Sequence, residues 1–281
     1  MQVCATISET RTVCRAARGD RKRIGVVPPM GALHEGHLSL VRAARAQCDV
    51  VAVSIFVNPT QFGPAEDLSK YPRQFERDCR LLEKEGVEIL FAPAVEEMYP
   101  QGQVTWVVVD GLSEKLDGRT RPGHFRGVTT VVAKLFNIVT PDAAYFGQKD
   151  AAQLAVIRRM VHELNFGVEI VACPIVREAD GLAMSSRNAY LNPDERNRAL
   201  VLHNSLRRVE QEFGEGERDA KVLISSAKEI LAREPQVRVD YYEIVDQDTL
   251  DPVERISQRA LVAVAAYVGT TRLIDNVLLN V

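Results

Sequence analysis

The stretch Pro28–His37, which reads Pro-Pro-Met-Gly-Ala-Leu-His-Glu-Gly-His, decides how this chain is organised. It follows the apolar run Ile24–Val27 and precedes Leu38–Gln47, in which apolar and basic residues alternate at helical spacing. These neighbours predict a buried strand, a turn and a helix. Small residues in the turn let a ligand approach the backbone, and the helix N-terminus presents unpaired N–H groups to an anion. The stretch therefore predicts a phosphate-binding site.

Two histidines of this stretch, His34 and His37, lie three residues apart. They would share one face of a helix that begins near Leu33, and from there they can donate hydrogen bonds to neighbouring phosphate oxygens. Their spacing is one residue too short for the His-Glu-x-x-His of a zinc metalloprotease. A purely structural alternative, in which the imidazoles cap the helix or pack against it, stays open at this point.

The composition is that of a globular protein. The chain has 281 residues, of which 46% are hydrophobic, and this suffices for a large core. Its 35 basic and 38 acidic side chains give a formal charge of -3, which argues against a nucleic acid as the main partner. The five cysteines are scattered and indicate reduced thiols. Because no signal-peptide or membrane-span pattern is present, we expect a cytoplasmic protein without membrane contact.

Strand and helix patterns alternate over the first part of the chain. Further strands are predicted at Val50–Val57, Val87–Phe91, Val104–Val109, Ala143–Phe146 and Val168–Cys173. Helices are predicted over Arg73–Glu85, Val128–Ile138 and Asp150–Asn165. This order predicts an α/β fold, in which residues 1–176 form a Rossmann-like parallel sheet with helices on both faces.

The pattern changes beyond Pro174. Two amphipathic helices, Pro193–Phe213 and Asp219–Arg233, are followed by a strand at Val237–Val245 and a hairpin about Gly269. Residues 177–281 are therefore predicted to form a smaller α+β C-terminal domain. We expect this domain to act as a lid, with a hinge near residues 176–182.

Three polar turns should meet at one crevice, because loops at the carboxyl ends of parallel strands line the ligand site of open α/β sheets. They are Pro28–His37, Gly147–Asp150 and Met184–Arg187. Lysine, arginine and hydroxyl groups together suit transfer at an α-phosphate, where negative charge builds on oxygen. Taken singly, Lys149 and the serines also fit ordinary surface positions. The arginine-bearing loop Gly118–Gly127 fits either a solvated surface or an anion contact.

Two common nucleotide motifs are missing from the sequence. No Gly-x-Gly-x-x-Gly follows the first strand, which argues against NAD or FAD. No Gly-x-x-x-x-Gly-Lys-Ser/Thr is present, which argues against a P-loop ATPase.

Several segments resemble, in the same order, the pantothenate synthetase (pantoate–β-alanine ligase) family of HIGH-motif nucleotidylyltransferases. They are the strand Ile24–Val27 and the motifs Met30–His37, Val57–Gly63, Arg121–Val128, Tyr145–Asp150 and Met184–Leu191. His34–His37 stands for the HIGH signature, and Met184–Arg187 for the mobile KMSKS-type segment. One departure is Pro29, where the family usually has threonine, and proline removes a hydroxyl and an N–H from the turn.

The resemblance implies a ligase of pantothenate and coenzyme A biosynthesis that works in two steps. Pantoate would attack the α-phosphate of ATP to give pantoyl adenylate and pyrophosphate, and β-alanine would then displace AMP. It also implies Mg²⁺ bound with ATP and a homodimer formed through the first domain. Another adenylyltransferase or synthetase of the superfamily, and a nucleotide-binding module without catalysis, remain alternatives.

The resemblance further implies roles for individual residues. The catalytic set would be His34, His37, Lys149, Ser185, Ser186 and Arg187, with His37 as proton donor. The ATP-binding set would be Met30, Gly31, Ala32, Leu33, His34, Glu35, Gly36, His37, Gly147, Gln148, Lys149, Asp150, Val176, Met184, Ser185, Ser186 and Arg187. Gln61 and Gln153 would bind pantoate, Asn58 and Gln61 would border β-alanine, and Asp78 is a candidate ligand of Mg²⁺.

Overall fold

The computed structural model describes residues 1–64 and 66–281, and within these ranges the chain forms two sheets and the helices around them. The strands are β1 (Gln2–Cys4), β2 (Ile24–Val27), β3 (Val50–Ser54), β4 (Ile89–Phe91), β5 (Ala143–Gly147), β6 (Glu169–Cys173), β7 (Val237–Asp246), β8 (Ala260–Val268) and β9 (Thr271–Leu279). The helices are α1 (Ile7–Gly19), α2 (Glu35–Arg45), α3 (Phe75–Lys84), α4 (Val95–Met98), α5 (Asp117–Thr120), α6 (His124–Val139), α7 (Ala151–Glu163), α8 (Pro193–Gly214) and α9 (Ala220–Leu231).

The first six strands form one parallel sheet in the order β1-β4-β3-β2-β5-β6, counted over the described ranges. Every residue of β2 and β3 is buried. Their apolar, β-branched sequences suit this position, because helices cover both faces of such a sheet and leave no strand face in water. The predicted Rossmann-like sheet is confirmed.

The last three strands form a small antiparallel sheet, again as predicted from the alternating pattern. Its two faces pack against different parts of the molecule. On β8, Leu261, Ala263 and Ala265 belong to the core beneath the parallel sheet. The intervening Val262 and Val264 pack with α8 and α9. A strand alternates its side chains between faces, so this sheet is a shared layer between two cores.

This packing restricts the lid that we expected from the sequence. Burying an apolar side chain contributes about 1.5–3 kcal/mol, and a swing of the whole sheet would expose several such residues of the shared core. Arg177, within the segment predicted as a hinge, also forms a two-bond ion pair with Asp275 of β9. We therefore propose that closure is confined to Met184–Arg187.

The predicted strand Val104–Val109 is wrong: the segment has no regular secondary structure and belongs to neither sheet described over residues 1–64 and 66–281. Hydroxyls of α6 bind its backbone instead. The Val107 N–H donates to Thr130 Oγ1 over 3.0 Å, and Thr129 Oγ1 donates to the Val107 carbonyl over 2.6 Å. The residue pattern reports strand propensity, but a strand forms only where a partner strand lies alongside.

Other boundaries also differ from those predicted. The Gly118–Gly127 loop is largely helical, because α5 occupies part of it and α6 already begins at His124. The short strand β1 and helix α1 were not predicted, although Thr6 and Glu9 form a capping box that marks the start of α1. The segment Asn58–Pro72, whose prolines and glycine predict a loop after a central strand, contains Ala65, which lies outside the described residues.

Across the described part of the chain, no helix is both long enough and apolar enough to span a membrane.

We expect the chain to unfold in one cooperative transition, because the two sheets share a core. Trp106, the only tryptophan, reports on the first part of the chain, whereas far-UV circular dichroism reports on all of it. Urea titrations followed by the two signals should coincide. An Ala265→Glu variant, which buries a charge on the shared face, should lower both midpoints together. Two separated transitions would contradict the shared core.

Candidate active site

The candidate site lies where the strand order of the parallel sheet reverses. Strands β3 and β4 lie on one side of β2, whereas β5 and β6 lie on the other. Strands β2 and β5 pair directly, with Val26 opposite Ala144. Because both run in the same direction, the turns that follow them, Pro28–His34 and Gly147–Asp150, leave the same edge of the sheet. Ligands of open α/β sheets bind at this switch point.

A buried carboxylate accepts hydrogen bonds from the backbone of the first turn. Gly31 has φ +104° and Ala32 has φ +50°, both in the left-handed region that favours glycine. Asp78 on α3 accepts hydrogen bonds from the Ala32 N–H over 2.8 Å and from the Leu33 N–H over 2.9 Å. With its side chain only 1% exposed, Asp78 lines neither of the cavities described below. Its contacts are those of a group that shapes the turn, rather than those of a metal ligand.

The two histidines cap the helix that they begin. His34 is the N-cap of α2, and its Nδ1 accepts the Gly36 N–H over 3.1 Å. His37 Nδ1 accepts the His34 N–H over 3.4 Å. The structural alternative is therefore partly correct. Because Nδ1 accepts in each ring, the neutral tautomer carries its proton on Nε2, which is the nitrogen left to donate to a ligand.

Both imidazoles are held in the neutral form. Burial, followed by the charge of Lys149, lowers the pKa of His34 to about 4. Burial, followed by the neighbouring His34 and Lys149, lowers the pKa of His37 to about 3. The ring centroids are 4.0 Å apart, so a proton on one ring would repel a proton on the other. At neutral pH the pair is therefore a set of uncharged donors beside the lysine ammonium.

Two cavities open at this edge of the sheet and share part of their walls. The smaller, of about 140 Å³, is lined by the predicted residues Met30, His34, Gly36, His37, Gly147, Lys149, Asp150, Val176, Met184, Ser185, Ser186 and Arg187. The larger, of about 930 Å³, is lined by Gln153 and extends to β9. Lys149, Asp150, Ser185 and Arg187 line both. The structure thus brings all three predicted turns together.

Some residues predicted for the nucleotide lie behind the cavity surface. Leu33 is buried, Glu35 pairs with Arg42, and the Gln148 side chain bonds Asn276. Gly31 and Ala32 shape the turn through their backbone, as described above. These residues form the frame of the site rather than its surface.

Hydrogen bonds join the Met184–Arg187 segment to the loop that contains Asp67 and Tyr71. Arg187 donates two hydrogen bonds to Asp67, each over 3.0 Å, and the Ser186 and Tyr71 hydroxyls are 3.3 Å apart. Burial by itself lowers the pKa of Arg187, but the hydrogen bonds and charge of Asp67 raise it overall. The guanidinium therefore stays charged and is neutralised by Asp67. A bound phosphate would compete with Asp67 for the same planar donor set.

The two side chains predicted to border β-alanine form a buried pair. Asn58 Nδ2 donates to Gln61 Oε1 and to the Gly127 carbonyl, each over 3.1 Å. Gln61 Nε2 lies 2.9 Å from the sulfur of Met30. A Cβ at Gly127 would lie 2.4 Å from the Thr60 carbonyl oxygen, so only glycine lets α6 approach this closely. Asn58 is 1% exposed and Gln61 is 9% exposed, and neither side chain lines either of the two cavities. Asn58 holds the carboxamide of Gln61 within the buried pair.

The sequence left the role of the arginine-bearing segment Gly118–Gly127 open. In the structure, some of its side chains line a cavity and others do not. Arg121 and His124 line the larger cavity, whereas Arg119 pairs with Glu243 and Arg126 stacks on the Trp106 ring. His124 Nδ1 donates to the Gln61 carbonyl over 2.8 Å.

Burial and the charge of Arg121 lower the pKa of His124 to about 4. His124, Arg121, Asp67 and Tyr71 were missed as site residues. The signals for Arg121 and His124 were the arginine-bearing loop Gly118–Gly127 and the family motif Arg121–Val128, to which no site role was given.

We expect the free energy of unfolding to fall as the pH is lowered from about 6.5 towards about 4. The pKa values of His34, His37 and His124 lie near 4, 3 and 4 in the fold, below the ordinary 6.5, so the unfolded chain binds more protons in this window. Urea titrations at several pH values should show the loss. His37→Asn should make the pH dependence shallower, whereas His162→Asn, at an exposed position on α7, should leave it unchanged. Equal slopes in all three proteins would contradict this expectation.

Comparisons with known proteins identify the family. The sequence model described as pantoate-beta-alanine ligase matches residues 2–278. The pantothenate synthetase of Koribacter versatilis is 61% identical over 280 residues, which are 100% of this chain and 96% of its relative. That of Thermotoga neapolitana is 60% identical over 280 residues and covers 100% of both chains.

Solved structures agree with the sequence relatives. A crystal structure of pantothenate synthetase from Thermus thermophilus has a TM-score of 0.94 at 47% identity and covers 99% of each chain. The pantoate-beta-alanine ligase of Francisella tularensis, complexed with beta-gamma ATP and β-alanine, has a TM-score of 0.81 at 32% identity, over 99% of this chain and 97% of its own. The turns Pro28–His37 and Gly147–Asp150 lie at one crevice. Together with this arrangement, these matches show that the chain belongs to the pantoate–β-alanine ligase family.

Proposed function

We propose that this protein condenses (R)-pantoate with β-alanine at the expense of ATP, and releases pantothenate, AMP and pyrophosphate. The observation that carries the proposal is the pair of cavities that meet at Lys149 and Arg187. A nucleotide in the smaller cavity and an acid in the larger one would have their reacting groups at the shared wall. Holding two reactants in this way supplies much of the rate enhancement of a ligase.

The smaller cavity is proposed to hold ATP. The backbone at Val176 would contact adenine, and Gly147 and Asp150 would hold the ribose. The Nε2–H groups of His34 and His37 would donate to phosphate oxygens, with the N-terminal N–H groups of α2 nearby. Since the histidines are neutral, the positive charge at the phosphates comes from Lys149 and Arg187.

The first step is proposed to be attack of a pantoate carboxylate oxygen on the α-phosphorus. A new P–O bond forms as the bond to the bridging oxygen of the β-phosphate breaks, and pyrophosphate leaves with the electron pair. Lys149, Arg187 and the hydroxyls of Ser185 and Ser186 would stabilise the negative charge on the phosphate oxygens. Because the imidazole is neutral, His37 would donate a hydrogen bond to a phosphate oxygen through Nε2–H and would not transfer a proton, contrary to the role that the resemblance implies.

The second step is proposed to be attack of the β-alanine amine on the acyl carbon of pantoyl adenylate. An amide bond forms, the bond between the acyl carbon and the phosphate oxygen breaks, and AMP leaves with the electron pair while the amine nitrogen loses one proton to water. Gln153 and Gln61 would hold pantoate, and Gln61 would also border β-alanine, with Asn58 fixing its orientation. Closure of Met184–Arg187 would limit hydrolysis of the adenylate by water.

Mg²⁺ is proposed to accompany ATP and to be held mainly by phosphate oxygens. Among the residues that the structure describes, no group of three or more His, Cys, Asp or Glu is placed to hold a metal ion by itself. Because both oxygens of Asp78 already accept backbone N–H groups, we assign this residue to the turn and not to the metal.

Product analysis tests the proposed function directly. Pantoate, β-alanine, ATP and Mg²⁺ are incubated with the protein, and the nucleotide product is identified. The proposal requires AMP, and ADP would contradict it. Pantoate-dependent exchange of pyrophosphate into ATP separates this ligase from other adenylyltransferases and from a nucleotide-binding module without catalysis.

We expect Lys149→Ala to abolish adenylate formation while leaving the fold intact. Removing a charge aimed at the transferring phosphate lowers the rate by a factor on the order of 10² to 10³. The lysine packs on a cavity wall rather than in a core, so the free energy of unfolding should change by less than about 1 kcal/mol. Pyrophosphate exchange and urea titrations measure the two effects. Lys84→Ala, at an exposed position at the end of α3, is the matched control and should retain exchange. Near wild-type exchange in Lys149→Ala would contradict the assignment.

We also propose a cytoplasmic homodimer in which the unpaired segment Val104–Val108 pairs with its copy in the partner. Val104, Trp106 and Val108 point outward, with exposures of 85%, 36% and 50%. An exposed row of alternate apolar side chains marks a surface that can associate with another chain. A second copy fits, because the row then packs against an identical row across a two-fold axis.

Sedimentation should therefore give about twice the chain mass of 31.2 kDa. The double variant Val104→Lys, Val108→Lys should sediment as a monomer, because paired lysines repel one another across the interface. Val222→Lys, at an exposed position on α9, should remain a dimer. A monomeric wild-type protein, or a double variant that still forms a dimer, would contradict this interface.

A further inference from the structure

Asn276, on β9 of the C-terminal sheet, contacts the turn Gln148–Asp150, called the lysine turn because it contains Lys149. Its Nδ2 donates to the carbonyl oxygens of Gln148 and Lys149, each over 2.9 Å. Its Oδ1 accepts from Gln148 Nε2 over 3.2 Å. Asn276 is 3% exposed. The buried carboxamide of Asn276 therefore donates hydrogen bonds to Gln148 and Lys149 and accepts one from Gln148.

The lysine turn has little side-chain support of its own. The 3₁₀ turn Gln148–Asp150 begins without a side-chain cap, and α7 after it also begins without one. In the part of the chain that the structure describes, Asn276 is the side chain bonded to these two carbonyls. The backbone position of Lys149 is thus set by a strand that lies more than a hundred residues further along the chain.

Strand β9 is itself anchored on both faces. On one face, Asp275 accepts two hydrogen bonds from Arg177, over 2.6 and 2.9 Å, next to the proposed adenine contact at Val176. On the other face, which carries Asn276, Arg272 lies 2.7 Å from a carboxylate oxygen of Asp117. Because these ion pairs restrain β9, the strand can fix the position of the lysine turn.

We propose that Asn276 is a positioning residue for the ligation, which keeps the Lys149 ammonium at the wall shared by the two cavities. The inference rests on the proposed function, because it assumes that Lys149 acts on the phosphates. Only a group with both a donor and an acceptor makes these three bonds, and the carboxamide is such a group. A displacement of about 1 Å at a positioned group lowers a rate by about 100-fold.

Kinetics of Asn276→Ala test the inference. We expect kcat for pantoate-dependent pyrophosphate exchange to fall roughly 10- to 100-fold, with the KM for pantoate within about twofold of wild type, because substrate contacts are untouched. Asn280→Ala, exposed just after the same strand, is the matched control and should retain the wild-type kcat. Circular dichroism confirms that each variant is folded.

A double variant separates positioning from general damage. If Asn276 acts through Lys149, its removal should have no further effect in a Lys149→Ala background, whereas independent effects would multiply. Multiplying effects would overturn the proposal, as would a wild-type kcat in folded Asn276→Ala.

Should Asn276→Ala fail to fold, Asn276→Asp replaces it, because aspartate keeps the size of the side chain but its carboxylate cannot donate to the carbonyls of Gln148 and Lys149. A several-fold loss of kcat in folded Asn276→Asp supports the proposal, and a wild-type kcat overturns it. Absence of exchange in the wild-type protein contradicts the proposed function instead, so the two failures are distinguishable.

Discussion

The site depends on the direct parallel pairing of β2 and β5. Their hydrogen-bonded register places Gly25 opposite Ala143 and Val26 opposite Ala144. This pairing joins two parts of the chain that are more than a hundred residues apart, and it sends the turns after both strands into the same crevice. The histidines come from one turn and the lysine from the other. Without this pairing the cationic and imidazole groups would not share a cavity, however well each turn was formed.

The electrostatics of the crevice follow from burial. The imidazoles at the start of α2 are neutral because their desolvation, together with the nearby lysine, opposes a further positive charge. Their Nδ1 atoms satisfy backbone N–H groups, so the same two side chains complete the helix N-terminus and present Nε2–H to a ligand. The hydrogen bonds that cap the helix therefore also orient the Nε2–H groups towards the cavity. The positive charge that a phosphate needs is supplied separately, and in this structure Asp67 balances the guanidinium of Arg187.

The C-terminal sheet shares a hydrophobic core with the parallel sheet. Residues that alternate along β8 and β9 contribute to different cores, so the sheet cannot leave one without disrupting the other. The pairs formed by Arg177 and Arg272 reinforce this docking with charge-assisted bonds. Met184–Arg187 lies at the crevice rim, outside both sheets described over residues 1–64 and 66–281, and runs into a 3₁₀ helix that begins at Ser186.

The sequence alone determined the class of the fold, the identity of the three turns and the family. Buried parallel strands, helix periodicity and the spacing of His34 and His37 are local patterns, and local patterns are readable from a single chain. The tertiary structure decided which side chains reach the cavities, because those contacts join distant residues. It placed Asp78 under the first turn, Asn58 behind Gln61 and Asn276 against the lysine turn. It also left Val104–Val109 without a partner strand in the described part of the chain, since a residue pattern records strand propensity but not the neighbour that a strand requires.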